Sequence, residues 1–137
     1  MALPKKAFDF TGEVAIVTGA GSRMARKFPP CPSPRMDYST FITGEIGNGR
    51  ATALLLARQG AKVALVDFNL EWAAETRRMI DAEGGTSEVI QADVTDEESC
   101  KNAVAKTVQL FGTVNILVNI GKFDDLKKSR GKVLSSE

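Results

Sequence analysis

The sequence predicts an α/β fold: a four-stranded parallel sheet of order 3-2-1-4, doubly wound by three helices. Three observations carry this expectation. Short apolar, β-branched runs alternate with longer stretches of helical period, as strand–helix–strand units do. The first apolar run feeds directly into a glycine turn, Thr18-Gly19-Ala20-Gly21-Ser22. A carboxylate, Asp67, closes the second apolar run.

Residues 1–12 form a lead-in, with Phe8 and Phe10 flanking Asp9 and a turn at Thr11-Gly12. Val14-Ala15-Ile16-Val17-Thr18 reads as a buried parallel strand, apolar without alternation. Gly47-Asn48-Gly49 opens a helix that runs from Gly49 to about Gln59. Ala51, Leu54 and Leu55 are expected along its inner side, and Gly60 stands where a C-terminal cap belongs. Lys62–Asp67 is the second strand. Asn69 caps the second helix, Leu70 to Glu83, whose inner face holds Ala73, Thr76 and Ile80, with Trp72 as a packing residue. Gly84-Gly85 stops it. Ser87–Ala92 is the third strand. Thr95-Asp96-Glu97-Glu98 has capping-box spacing ahead of the third helix. Cys100, Ala103, Val104, Thr107 and Phe111 form that helix's apolar stripe, and Gly112 ends it. Val114–Val118 is the fourth strand.

The glycine turn is interrupted. Removing the 24 residues from Arg23 to Ile46 joins the flanks as T-G-A-G-S-G-N-G-R-A, a strand, a glycine turn and a helix. The insert holds four of the five prolines and the only tyrosine, Tyr38, and has no strand or helix period. Three explanations compete: translated non-coding sequence, a family-specific loop, or a binding segment. For the third, residues 26–34 contain an R-x-x-P-x-x-P pattern suited to a polyproline groove.

Each glycine has a task in such a turn. One lets the chain leave the strand sharply, a second admits backbone N–H groups to a pyrophosphate, and a third lets the helix pack close on the sheet. The helix N-terminus then turns unpaired N–H groups and a positive dipole end towards phosphate. Asp67 lies 18 residues beyond Gly49, where a carboxylate can accept hydrogen bonds from both ribose hydroxyls and repel a 2′-phosphate. Phe68 and Asn69 follow it, with no Arg or Lys, which favours NAD over NADP. Gly19, Ser22, Gly47, Asn48 and Gly49 are the candidate phosphate residues.

The joined T-G-x-x-x-G-x-G, together with Val66-Asp67, Ala92-Asp93-Val94 and Leu117-Val118-Asn119, resembles the short-chain dehydrogenase/reductase family. The likeness covers about residues 8–121 without the insert. It implies a partial Rossmann-like domain over 1–121, with the loop at 23–46 and a polar, basic tail over 122–137. It also implies an NAD(P)-dependent oxidoreductase, moving a hydride between nicotinamide and an alcohol or carbonyl substrate. By the same resemblance Asp93 and Val94 hold the adenine edge, although Asp93 equally fits a turn before the Thr95 cap. Asn119 matches the first asparagine of the family's N-N-x-G. Here the run is Asn119-Ile120-Gly121, without the second asparagine and one residue short.

The family's chemistry needs a tyrosine followed four residues later by a lysine that lowers its pKa. Tyr38 has Ile42 at that place and precedes the second strand, so no catalytic residue is assigned. The expectation is a chain truncated before the catalytic residues, able at most to bind a nucleotide by itself. A small-molecule substrate enters only with the missing half. The alternative is a non-catalytic interaction protein that displays the 26–34 loop or pairs with a full-length relative through its open sheet edge.

Composition narrows the field further. Absence of histidine removes histidine triads and histidine metal sites, and no metal is expected. A net charge of +1 gives no cause to expect nucleic acid or an anionic membrane. No apolar run nears the ~18–20 residues of a membrane span, and the start lacks the apolar region of a secretory signal. Cys31 and Cys100 have no metal or pairing logic and read as free thiols of a reducing, cytoplasmic compartment.

Overall fold

The computed structural model describes residues 8–21 and 46–120. Ser22, the insert as far as Glu45, and the expected tail at 122–137 lie outside the described residues. The elements are β1 (Val14–Thr18), α1 (Asn48–Arg58), β2 (Lys62–Asp67), α2 (Leu70–Ala82), β3 (Thr86–Gln91), α3 (Glu97–Phe111) and β4 (Ile116–Asn119). All neighbouring strands pair in parallel, in the order β3-β2-β1-β4.

Period-two alternation divides the core between two faces of this sheet. Val17, Val63 and Leu65 point to one face, where Ala53, Leu54 and Ala57 of α1 and Ala73 and Ile80 of α2 cover them. Ile16, Ala64, Val66 and Ile90 point to the other, covered by Ala103 of α3 with Phe111 and Val114. Helices on both sides are why β1 is buried along its whole length and reads as an unbroken apolar run.

Local signals end the elements much as the sequence reading expects. Asn69 caps α2 by accepting the Trp72 N–H at 3.2 Å. Gly60 follows α1 at φ +98° and Gly112 ends α3 at φ +88°, both left-handed positions suited to glycine. The buried residues of α2 are Ala73, Thr76 and Ile80, as expected.

Four expectations need correction. The buried residues of α1 are Gly49, Arg50, Ala53, Leu54 and Ala57; Leu55 is 45% exposed. Close contact of Gly49 with the β1 turn rotates the helix so that the 50-53-54-57 stripe faces inward. The cap of α3 is Asp96, which accepts the Ser99 N–H at 3.0 Å. Thr95 is instead held by Asp93. On α3 only Ala103 and Thr107 are buried, while Val104 is exposed and Cys100 half-buried. Finally, β4 begins at Ile116, because Asn115 brackets Val14: its N–H donates to the Val14 carbonyl and its Oδ1 accepts the Val14 N–H, each at 2.9 Å.

The register positions the site. Thr18, the end of β1, lies against Val66 of β2 on one side and Asn119 of β4 on the other. Successive connections leave β1 in opposite directions at this point, which is where open parallel sheets bind ligands. Gly19, Asp67 and Ile120 thus emerge side by side at the carboxyl edge.

Candidate functional site

Gly19 leaves β1 at φ +67° and lies so close to the Ile120 carbonyl that a Cβ there would collide with it. Ile120 is held in turn, its N–H donating to Thr18 Oγ1 at 3.0 Å. Gly49, in the first turn of α1, rests directly on the Gly19 carbonyl, where again no Cβ fits. These two contacts lock the start of α1 onto the end of β1. The space a side chain would fill is taken by neighbouring backbone carbonyls.

Gly47 is the N-cap of α1, buried and extended at φ −81°, and its carbonyl accepts the Ala51 N–H at 3.0 Å. Among the described residues no side chain caps this helix, and its first turn carries no acid. Its initial N–H groups, at Asn48, Gly49 and Arg50, therefore form a positive helix end without a built-in anion. Asn48 itself is exposed.

Asp67 is half-buried and fixed in place: Oδ2 accepts the Gly21 N–H and Oδ1 the Asn69 N–H, both at 2.9 Å. A carboxylate has about four acceptor positions, so these two bonds orient it and leave capacity for a diol. The side chain thus has a structural duty beside the expected ribose contact. It ties β2 to the glycine turn.

The other predicted site residues divide. Asn119 ends β4, exposed and in register with Thr18. Asp93 and Val94 lie on the loop from β3 to α3. The Asp93 carboxylate accepts the Thr95 hydroxyl at 2.6 Å and the Thr95 N–H at 2.9 Å, the turn role that its sequence context allowed. Those bonds, from the hydroxyl first and the backbone second, hold its pKa below the usual value. Val94 is exposed beside it. Ser22 lies outside the described residues. The structure therefore brings together Gly19, Gly47, Gly49, Asp67 and Asn119, with Asp93 and Val94 at the next strand end.

Arg50 escaped the sequence reading. It is only 1% exposed, wedged between α1 and α2. Its Nε donates to Thr76 Oγ1 at 3.0 Å; its Nη2 reaches the Trp72 carbonyl at 3.2 Å, Glu75 at 3.3 Å and the Gly21 carbonyl at 3.5 Å. Thr76 passes the connection on, donating to the Ala20 carbonyl at 2.8 Å. One signal was available: Arg50 falls on the same helical stripe as Ala53, Leu54 and Ala57.

A four-stranded parallel sheet of order 3-2-1-4, with a glycine turn that admits no Cβ and, among the described residues, a helix start without a side-chain cap, defines a Rossmann-like α/β protein. Among the described residues no cluster of metal-ligating side chains occurs, and no helix is long and apolar enough to cross a membrane. Known proteins agree with this class. The family model described as enoyl-(acyl carrier protein) reductase matches residues 42–135. An uncharacterised oxidoreductase of Bacillus subtilis, YhxC, is 31% identical over 98% of this chain and 39% of its own length. The 15-hydroxyprostaglandin dehydrogenase [NAD(+)] of Bos taurus is 42% identical over 58% of this chain and 31% of its own. A solved structure from Burkholderia xenovorans, described as a short-chain dehydrogenase/reductase, superposes with a TM-score of 0.61 at 38% identity. That superposition covers 80% of this chain and 36% of that one. The chain belongs to the short-chain dehydrogenase/reductase family of oxidoreductases, whose dinucleotide is NAD or NADP. It spans about two fifths or less of the length of these relatives.

Proposed function

We infer that these residues bind the adenosine diphosphate portion of NAD, as the nucleotide half of an oxidoreductase acting on an alcohol or carbonyl. The carrying observation is the meeting of Gly49 with Gly19 at the uncapped start of α1, beside the Asp67 carboxylate. Gly19, Gly47, Asn48 and Gly49 line the pyrophosphate, with Ser22 assigned there from its sequence position alone. Asp67 takes the ribose hydroxyls, Asp93 and Val94 flank the adenine, and Asn119 faces the nicotinamide side. Bound nicotinamide would supply the hydride acceptor or donor.

Asp67 favours NAD because a 2′-phosphate would bring a second anion against it, and Phe68 and Asn69 offer no compensating cation. The bovine relative, whose name specifies NAD(+), supports the same choice. Titration calorimetry of the 137-residue chain should show NAD binding at least about tenfold tighter than NADP, the worth of one unfavourable charge contact. Equal affinities would refute the preference. These residues contain no tyrosine with a lysine four positions on. We therefore expect the 137-residue polypeptide by itself to turn over no NAD with a panel of alcohols, compared with a heat-killed control.

A second reading is association through the sheet edge. Among the described residues β4 pairs only with β1, and Leu117 is 60% exposed. A strand from a full-length relative, or from a second copy, fits that edge. Sedimentation of the chain alone and mixed with a relative tests it; a monomer under both conditions would exclude it.

A further inference from the structure

We propose that Arg50 is a positioning residue that closes the phosphate turn across its interruption, doing by hydrogen bonds what a short covalent turn does elsewhere. The proposal rests on the dinucleotide reading for its functional meaning.

The interruption creates a specific physical problem. Gly21 and Gly47 bracket a phosphate cradle whose N–H groups must hold one geometry, yet 25 residues separate them in the chain. With that separation in sequence, no short covalent turn sets one flank against the other. The two flanks must therefore be fixed to each other through space.

Arg50 spans that gap. It belongs to the far flank, in the first turn of α1, and its guanidinium reaches the near flank twice. Nη2 contacts the Gly21 carbonyl directly at 3.5 Å. Nε donates to Thr76 Oγ1, and that hydroxyl donates to the Ala20 carbonyl. The near flank is held from its other side as well, since Ala20 N–H donates to the Val66 carbonyl at 3.4 Å and Gly21 N–H to Asp67. Ala20 and Gly21 are thus clamped between β2 and Arg50, immediately before the chain departs into the insert. Burying a cation is costly unless its donors are satisfied, and here Glu75 and the Trp72 carbonyl accept from it as well. A planar fork with several donors suits this task, whereas a lysine offers one point charge.

The test compares the full chain with Arg50→Met. Amide exchange read by NMR should quicken at Ala20 and Gly21 by at least about tenfold, one charge-assisted hydrogen bond's worth, with Val17 and Leu65 as unchanged references. Unchanged exchange at Ala20 and Gly21 would overturn the proposal. The second arm repeats the substitution in a variant lacking Arg23–Ile46. Arg50→Met should weaken NAD binding at least about tenfold in the full chain, and no more than about threefold where a short turn restores the link. An equal loss in both backgrounds would make Arg50 a general packing residue and overturn the proposal. Local loosening at Ala20 and Gly21, with no NAD binding by any variant, would sustain the clamp and refute the dinucleotide reading instead. If Arg50→Met fails to fold, Thr76→Val cuts the arm to the Ala20 carbonyl alone; exchange should then quicken about tenfold at Ala20, and unchanged exchange there would overturn the proposal.

Discussion

The two faces of the sheet are built on different principles. On the α1–α2 face, helices approach closely enough that backbone touches backbone, and a buried cation and a threonine hydroxyl bond the carbonyls at the seam. On the α3 face, contact is looser and apolar. Ala103 is the only buried apolar residue of α3, and Val104, Val108 and Leu110 remain exposed. Leu117, in register with Ile16 and so on this same face, is also exposed. Full burial of one such leucine is worth about 1.5–3 kcal/mol, stabilisation that the described residues do not collect here. The tight face is also the one that carries the candidate site. The phosphate cradle proposed there would demand such small residues and a polar seam, since a cradle tolerates no slack.

The sharpest way to break this contrast is Gly49→Val. A branched Cβ placed against the Gly19 carbonyl must push α1 off β1, and we expect a loss of about 3 kcal/mol together with loss of NAD binding. On the loose face, Leu117→Lys should cost no more than about 0.5 kcal/mol, as surface changes do. Denaturant midpoints measure both, and comparable losses would erase the distinction between the faces.

Asp67→Asn comes next. It keeps the shape but weakens the acceptor of Gly21 and removes the charge facing the ribose. NAD affinity should fall about tenfold or more, with a smaller change in stability. Calorimetry giving wild-type affinity would remove Asp67 from the site.

Ser87 marks a flaw in the tight face. It is in register with Val63, is buried, and its hydroxyl has no hydrogen-bond partner among the described residues. Ser87→Ala should stabilise the fold by about 1 kcal/mol, the usual penalty for such a group. A destabilised variant would indicate a bound water satisfying that oxygen.

The smallest effect concerns pH. Arg58 and Glu83 join the ends of α1 and α2 through bonds of 2.6 and 2.7 Å. The Arg58 hydrogen bond holds the Glu83 carboxyl below its usual pKa near 4.5, opposed by burial and aided by the Arg58 charge. A depressed pKa means the contribution is fully present above that usual value and fades as pH falls through the folded one. Both side chains are exposed, so less than about 1 kcal/mol is at stake. Arg58→Met should flatten this part of the stability–pH curve, and an unchanged slope below pH ~4.5 would show that the pair contributes nothing.

The sequence disclosed the tight face unevenly. β2 and α2 were legible because Asn69, Gly60 and Gly84 punctuate them and Ala73, Thr76 and Ile80 keep a clean helical period. Gly19, Gly49 and Asp67 were legible from spacing, since strand, turn and helix fix their separation. The inner side of α1 was misread because its stripe begins with a cation. Only the tertiary pairing of Arg50 with Thr76, 26 residues away, makes burial tolerable there. Asp96 displaced Thr95 as the cap of α3 because the Asp93 turn had already engaged Thr95, a choice between two competent capping residues that composition does not decide. The start of β4 was hidden because the Asn115 side chain imitates a strand bond to Val14.

The most direct test of a phosphate cradle on the tight face is an NMR titration of the full chain with NAD. Saturable, one-to-one shifts should centre on the amides of Gly19, Gly21, Gly47, Asn48, Gly49 and Asp67, with the α3 amides from Val104 to Leu110 unmoved. An absence of saturable shifts, or shifts centred on α3 and β4, would contradict the assignment.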